Sequence, residues 1–370
     1  MAKINSRSPY FISSTGVSYV EVKVWIYDGI QTTDRDTNPN YTFVSNAVNG
    51  NTTIDIGQIV QDYAESGFDG DYETENYWVD YEVKECTSSG CSTPVMYQNR
   101  SFNGYGYFEE GANPQLSQSL LQSNDTVVKL DDSELVIPVD TSLTSKVTYT
   151  LKDEVVYTKT ISSSTQSNEQ IEYVVSASDS YSDFEQRIIE DGGILEESRC
   201  LREFQGEVAL FDFDKVYIES TDGSVSVVSV DNIQECTYEP IKLTFVNKFG
   251  ALQDLWFFKT HSTSLSTQSE EYRSNLISNG TYETYEHQYR TLFKSGKESI
   301  KISSGFYPEK YNEVFKQMML SNRVWIYYRD KTLPVSIQSN NMSFKTRLND
   351  ILISYQLDLN FAYDTINSIR

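Results

Sequence analysis

Two histidines, His261 and His287, are all the imidazole this chain carries. General-base work by histidine, and histidine-ligated metal, therefore have little to draw on. His287 sits in TYETYEHQYRTLF, an aromatic strand-like or loop run, and reads as an ordinary polar position. The sequence holds no GxSxG elbow, phosphate loop, GxGxxG fingerprint or HExxH pair. Carboxylates are plentiful, and paired-acid glycoside hydrolysis needs only two in the right place. FDFDK offers Asp212 and Asp214 two residues apart, hence on one face of a strand. The plainer reading of that pair is a solvated strand face.

In DRDTNPN, Asp34, Asp36, Asn38 and Asn40 occupy the odd positions of a calcium loop. Its sixth position is Pro39 where glycine makes the turn, and its twelfth is Ser45 where a bidentate glutamate belongs. The stretch reads as a polar turn between strands, and no metal is expected. Cys86 and Cys91 could close a small hairpin disulfide, and all four cysteines could make a metal site. The spacing is loose, and Cys200 and Cys236 are not a close pair. Small, mostly buried thiols are the expectation. The glycine-rich FNGYGYFEEGANP lacks the lysine and the helix start that a phosphate cradle requires. No cofactor is expected. Tyr105, Tyr107 and Phe108 there are expected to pin a loop to the domain surface or to a neighbour.

The elements that carry these residues read as strands. SYVEVKVWIYDG alternates Val20, Val22, Val24 and Ile26 against Glu21, Lys23, Trp25 and Tyr27, and stops at Asp28-Gly29. YTFVSNAVNGNTTIDI reads as strand, Asn-Gly turn, strand. GQIVQDYAES is a short helix, and NYWVDYEVKE returns to a strand. KVTYTLKDEVVYTKTI and EVALFDFDKVYIESTDGSVSVVSV are hairpins, and DSYSDFEQRIIEDGG is a candidate helical insertion. Near the end, Pro308 opens a helix with Tyr311, Val314, Phe315, Met318 and Met319 at helical spacing. LISYQLDLNFAYD then alternates Ile353, Tyr355, Leu357, Leu359 and Phe361 against polar residues, a strand with one wet face. It is expected to pair, antiparallel, with VWIYY or LPVSIQ.

Length and turn spacing point to a mainly β chain of two or three β-sandwich-like domains with a few short helices. The expected divisions are an N-terminal unit over 1–122, a β-rich unit over 123–240, and an α+β C-terminal domain over 241–370 whose helix spans 308–321. The formal net charge of −23 argues against nucleic acid, which needs clustered Lys and Arg, and against anionic membrane surfaces. MAKINSRSPYF is polar, and no stretch approaches the ~20 apolar residues of a membrane span. Synthesis in a cytoplasm is the expectation. Aromatics make up 13%, with 27 Tyr, a residue favoured in strands and at interfaces.

Two segments carry a resemblance. One is SPYFIS, VEVKVWIYDG, IDIGQIVQDY and NYWVDYEV near the start. The other is ISSGFYPEKYNEVFKQMMLSNRVWIYYRD, LPVSIQ and FKTRLNDILISYQLDLNFAYDTINSIR, preceded by LTFVNKFGALQDLWFF. Together they resemble virion structural proteins of tailed bacteriophages, in particular tail, baseplate or neck components of phages of Bacteroidetes-type hosts. The resemblance implies a non-enzymatic assembly protein, present in several copies in a ring of the tail or head-tail connector. Its partners would be other copies of itself and other virion proteins, and its location the virion. Trp25, Tyr27, Tyr105, Tyr107 and Phe108 are the interface candidates. A rival reading makes the chain a carbohydrate- or receptor-binding module, with Trp25, Tyr27 and Tyr105 as an exposed platform. An acid-pair glycosidase is a third.

Overall fold

The computed structural model describes residues 2–64, 67–74, 76–115, 118–130, 133–161, 171–175, 201–204, 207–210, 213–235, 237–276, 281–339, 341–343 and 352–366. The candidate helical insertion (179–193), Asp212, Cys200 and Cys236 lie outside the described residues. The fold is mainly β: strands take 53% and helix 6% of the described residues. The chain falls into two compact units: one of residues 1–234, 244–255 and 310–322, the other of 235–243, 256–309 and 323–370.

The first unit opens with β1 (Ala2–Asn5), β2 (Phe11–Thr15), β3 (Tyr19–Tyr27), β4 (Tyr41–Asn46), β5 (Asn51–Asp55), α1 (Gly57–Gln61), β6 (Trp78–Thr87), β7 (Gly90–Cys91) and β8 (Val95–Phe102). One sheet runs β1-β8-β6-β3-β4, and β2 pairs β5 in a second layer. Alternation along β3 puts Val20, Val22, Val24 and Ile26 on the inner face. There they join Ile12 of β2, Ile54 of β5, and Ile56 and Val60 around α1 in one core. Asn49 and Gly50 take φ of 54° and 79°, the left-handed pair that an Asn-Gly turn supplies. The Val48–Asn51 bridge closes the turn, but the pairing goes no further. Strand β4 pairs β3 and β5 pairs β2, so these two residues carry the chain from one layer to the other.

The same unit continues through β9 (Thr126–Leu130), β10 (Val136–Asp140), β11 (Thr144–Leu151), β12 (Glu154–Thr160), β13 (Ile171–Val175), β14 (Leu201–Phe204), β15 (Glu207–Leu210), β16 (Lys215–Ser220) and β17 (Val225–Ile233). A sheet β12-β11-β16-β17-β9 faces the β10–β13 pair. Ile137, Val139 and Val174 of the pair share a core with Val147, Tyr149, Val216, Ile218 and Val228 of the sheet. Both expected hairpins are present. The turn at Lys152-Asp153 has two positive φ values, and the turn at Asp222-Gly223 holds its serine through Asp222 Oδ1, which accepts from the Ser224 N–H at 2.9 Å. The first core is tied to the second by the Lys3–Asp140 ion pair.

The remaining elements are β18 (Ile241–Val246), β19 (Leu252–Phe257), β20 (Ser262–Arg273), β21 (Tyr289–Ser303), β22 (Tyr307–Pro308), α2 (Asn312–Met319), β23 (Val324–Tyr328), β24 (Lys331–Ile337), β25 (Leu352–Ile353) and β26 (Gln356–Phe361). Helix α2 forms where the spacing placed it and buries Val314, Phe315 and Met318. It belongs to the first unit. The preceding Tyr311 hydroxyl accepts from the Val128 N–H at 2.6 Å and donates to the Thr126 carbonyl at 2.9 Å, which fixes the helix entry on β9.

In the second unit the last strand pairs antiparallel on both sides. Leu359 lies opposite Ile300 of β21 and Ile337 of β24, and Phe361 lies opposite Val335. Ile353, Tyr355, Leu357, Leu359 and Phe361 are all buried, as the alternation requires. The strand is nevertheless broken. Leu352–Ile353 pair with Tyr307–Pro308, and Tyr355 leaves the ladder so that its N–H can donate to Ser304 Oγ at 2.9 Å. Among the described residues no helix is long and apolar enough to cross a membrane.

Candidate functional site

The residues that could do chemistry are taken up locally. Asp214 Oδ2 accepts from the Lys152 N–H at 3.0 Å and anchors the 151–154 turn. Asp34 Oδ2 accepts from the Ile30 N–H at 2.6 Å, and Asn40 Oδ1 accepts from the Ile26 N–H at 2.8 Å. The 34–40 stretch thus ties down the backbone at Ile26 and Ile30 before it. Among the described residues, no group of three His, Cys, Asp or Glu is placed to hold a metal. The ring of His261 meets Tyr328 edge-on, centroids 5.6 Å apart, and His287 is exposed. Cys86 and Cys91 are not thiols but a disulfide. The turn between β6 and β7 makes them directly opposed residues, which brings their Cα atoms to 4.0 Å.

Trp25 and Tyr27 also correct the expectation. Alternation places them on the outer face of β3, yet they are 7% and 9% exposed. The covering element is the 28–40 loop, folded back over that face. Asp80 stands opposite Trp25 in the ladder, and Trp78 opposite Tyr27. The Tyr27 hydroxyl donates to Asp80 Oδ2 at 2.9 Å, and Arg35 from the loop donates to the same oxygen at 3.0 Å. The Arg35 guanidinium lies over the Trp25 ring, and Trp78 Nε1 donates to the Gly29 carbonyl at 2.9 Å. Burial pushes the Asp80 carboxyl above the usual carboxylate range, against the opposing pull of Tyr27 and Arg35. Burial likewise lifts the Tyr27 hydroxyl to about 12. Trp25 and Tyr27 are thus covered by their own chain and not exposed.

The glycine-rich loop divides its three aromatics. Tyr105 is buried, with the Arg7 guanidinium over its ring. Tyr107 donates to Glu313 Oε1 of α2 at 2.6 Å, while the Lys248 and Lys316 ammonium groups lie 4.5 and 3.7 Å from its ring centroid. Burial, then the Glu313 carboxylate, holds its hydroxyl far above the ordinary tyrosine range. The backbone is pinned as well: Tyr105 N–H donates to the Lys248 carbonyl and Gly106 N–H to Ser8 Oγ. A Cβ on Gly104 would collide with the Lys248 carbonyl, and one on Gly106 with Pro114. The two tyrosines fasten the loop to its own unit. Phe108, which has no polar handle, is 100% exposed on the following 3₁₀ turn (Phe108–Glu110).

A long exposed strand pair lies in the second unit and was not legible as such. Strands β20 and β21 pair from Ser262↔Lys301 to Arg273↔Tyr289, with a bulge at Glu270/Glu271. All twelve residues of β20 are exposed, and so are Tyr289 to Lys294 of β21. Strand β26 pairs β21 only over 299–303, and β20 is the edge of its sheet among the described residues. Twelve extended residues reach roughly 40 Å. This ribbon carries Leu265, Tyr272, Tyr282, Tyr285, Tyr289, Leu292 and Phe293 in solvent. A two-stranded ribbon is marginal in water, and a long exposed edge strand leaves its backbone groups open to pairing. Its charge differs from the rest of the chain: over 262–303, five Lys and Arg balance five Glu, whereas the whole chain carries −23. The one signal in the sequence was negative. STSLSTQSEEYR has no apolar alternation, which fits a strand wet on both faces as well as it fits a loop.

No protein-family model matches the chain, and a search of curated proteins gave no match.

Proposed function

We propose that the chain is a non-enzymatic structural subunit that works in several copies, joined to its neighbours through the β20–β21 arm. The observation that carries this reading is the arm itself: twelve consecutive residues of an edge strand are exposed, Leu265 and Tyr272 among them, beside exposed Tyr289, Leu292 and Phe293 of β21, on a chain that otherwise builds ordinary buried cores. Such a ribbon gains stability when a second surface covers it. A net-neutral arm on a strongly acidic chain also approaches another copy without the repulsion that the bodies feel. The likeness of both chain ends to tailed-phage structural proteins supports placing the assembly in a tail, baseplate or neck ring of a virion. In a ring each copy presents two different complementary surfaces. Quantitative mass spectrometry of purified virions is the test. A fixed stoichiometry of several copies per particle is expected, and absence from the particle would overturn the assignment.

A receptor-binding role has one observation in its favour, the exposed Tyr282, Tyr285 and Tyr289 at the arm's far end. It predicts glycan binding lost on replacing these three by alanine, with copy number in the particle unchanged.

A further inference from the structure

We infer that the arm pairs with the arm of a second copy, strand β20 against strand β20, antiparallel about a two-fold axis at Tyr272. The inference rests on the reading of the arm as the assembly element and names the surface that receives it. Among the described residues no strand covers the outer edge of β20. Just past the end of β20, the Ser274 N–H donates to the Gln288 carbonyl at 2.7 Å. The backbone groups of Ser274 and, two residues back, of Tyr272 therefore turn toward β21. Those of Glu271 and Arg273 turn to the open edge, where they are a template for another strand.

Charge selects both the occupant and the register. Glu271 and Arg273 share one face of β20, both exposed, and Tyr272, 47% exposed, stands on the other. With the axis at Tyr272, Glu271 of each copy lies directly opposite Arg273 of the other in a hydrogen-bonded pair. The two Tyr272 side chains meet at the axis, in the non-hydrogen-bonded position where strands come closest. Shifting the axis by one residue sets Glu271 against Glu271, or Arg273 against Arg273, and like charges directly opposite repel. The Arg273 guanidinium has capacity for the carboxylate: in its own ribbon it faces the neutral Gln288 side chain, whose carbonyl accepts from it at 2.8 Å. A second copy is the occupant because Glu-Tyr-Arg is its own complement in an antiparallel pair. Reach allows the contact as well. The run from Ser262 to Tyr272 extends about 33 Å, so the bases of the two arms stand well beyond the ~10 Å range of screened repulsion. The contact is isologous and joins copies in pairs, and a ring needs a second surface besides.

The test compares full-length chains by sedimentation velocity. Glu271→Arg alone and Arg273→Glu alone should each weaken self-association at least tenfold, with the unfolding midpoint unchanged, because each sets like charges across the axis. An equal mixture of the two variants should associate as the parent does, since every pair across the axis is then opposite again. Single variants that associate like the parent, or a mixture that stays dispersed, would overturn the inference. Register is read separately in chains with Cys200→Ser and Cys236→Ser. Tyr272→Cys should give a dimer band with a short thiol-specific cross-linker. Gln268→Cys, whose two copies lie about 26 Å apart in this register, should give none. Equal bands at the two positions, or no band at Tyr272→Cys, would overturn the inference. Sedimentation of a chain whose arm is shortened separates the two levels. If shortening disperses the oligomer while the charge variants have no effect and no link forms at 272, the arm's role stands and this pairing falls. If shortening changes nothing and no link forms, both fall.

Discussion

Phe315 and Phe108 are both phenylalanines in the first unit, at opposite extremes of burial, and replacing each by alanine should separate a packed ring from an exposed one. Phe315 is fully buried on α2, beside fully buried Val314 and Met318. Removing a buried phenylalanine ring costs about 3–5 kcal/mol, the upper part applying where the surroundings cannot collapse. Collapse is restricted here. Tyr311 ties the helix entry to the β9 backbone, Tyr107 ties it through Glu313, and Gln317 Oε1 accepts from the Lys248 N–H. Native-state hydrogen exchange in the amides of β9, β11 and β16 reads the stability of this unit alone. At about 1.4 kcal/mol per tenfold, Phe315→Ala should speed their exchange at least a hundredfold. Phe108→Ala should change it less than threefold, because a surface side chain is worth within about 0.5 kcal/mol. A Phe315→Ala effect below tenfold, or equal effects of the two substitutions, would refute the packing argument.

Three further outcomes follow from named contacts. Tyr107→Phe loses a hydrogen bond to a carboxylate and should destabilise the first unit by about 1.5–3 kcal/mol in urea titrations; no loss would mean the loop is not held through Glu313. Asp80 has a folded-state pKa above its unfolded value, so its contribution is full below the ordinary carboxylate pKa of about 4 and is lost as pH rises through the raised one. The stability of the parent chain relative to Asp80→Asn should therefore fall over that interval and be flat above it, and a difference that grows with pH would contradict the assignment. Replacing both Cys86 and Cys91 by serine opens a loop of sequence separation 5 and should cost about 2 kcal/mol on the chain-entropy estimate, read as a lowered urea midpoint.

Periodicity carried the sequence reading wherever one face of a strand is dry. Val20 to Ile26, the Asp222-Gly223 hairpin, α2 and the last strand all follow from alternation or turn chemistry, because burial there is decided by neighbours on the same ladder. It failed where cover comes from a segment without a period. Trp25 and Tyr27 share a face with Glu21 and Lys23, and nothing in their spacing says that the 28–40 loop returns to roof it with Arg35. Trp78, which shares this face with Asp80 and stands opposite Tyr27, was the available hint that the outer face is dry at that end. The Asn49-Gly50 turn shows a different gap. Its backbone chemistry was clear, but the same turn can close a hairpin or move the chain between layers. The arm escaped for the converse reason, since a ribbon wet on both faces leaves no alternation to read.

Sedimentation velocity over a concentration series compares the intact 42.4 kDa chain with one in which residues 265–298 are replaced by a two-residue turn. The intact chain should shift to larger species as concentration rises, while the shortened chain, with both cores preserved, should remain a monomer throughout. Identical behaviour of the two chains would contradict the claim that this protein assembles through its arm.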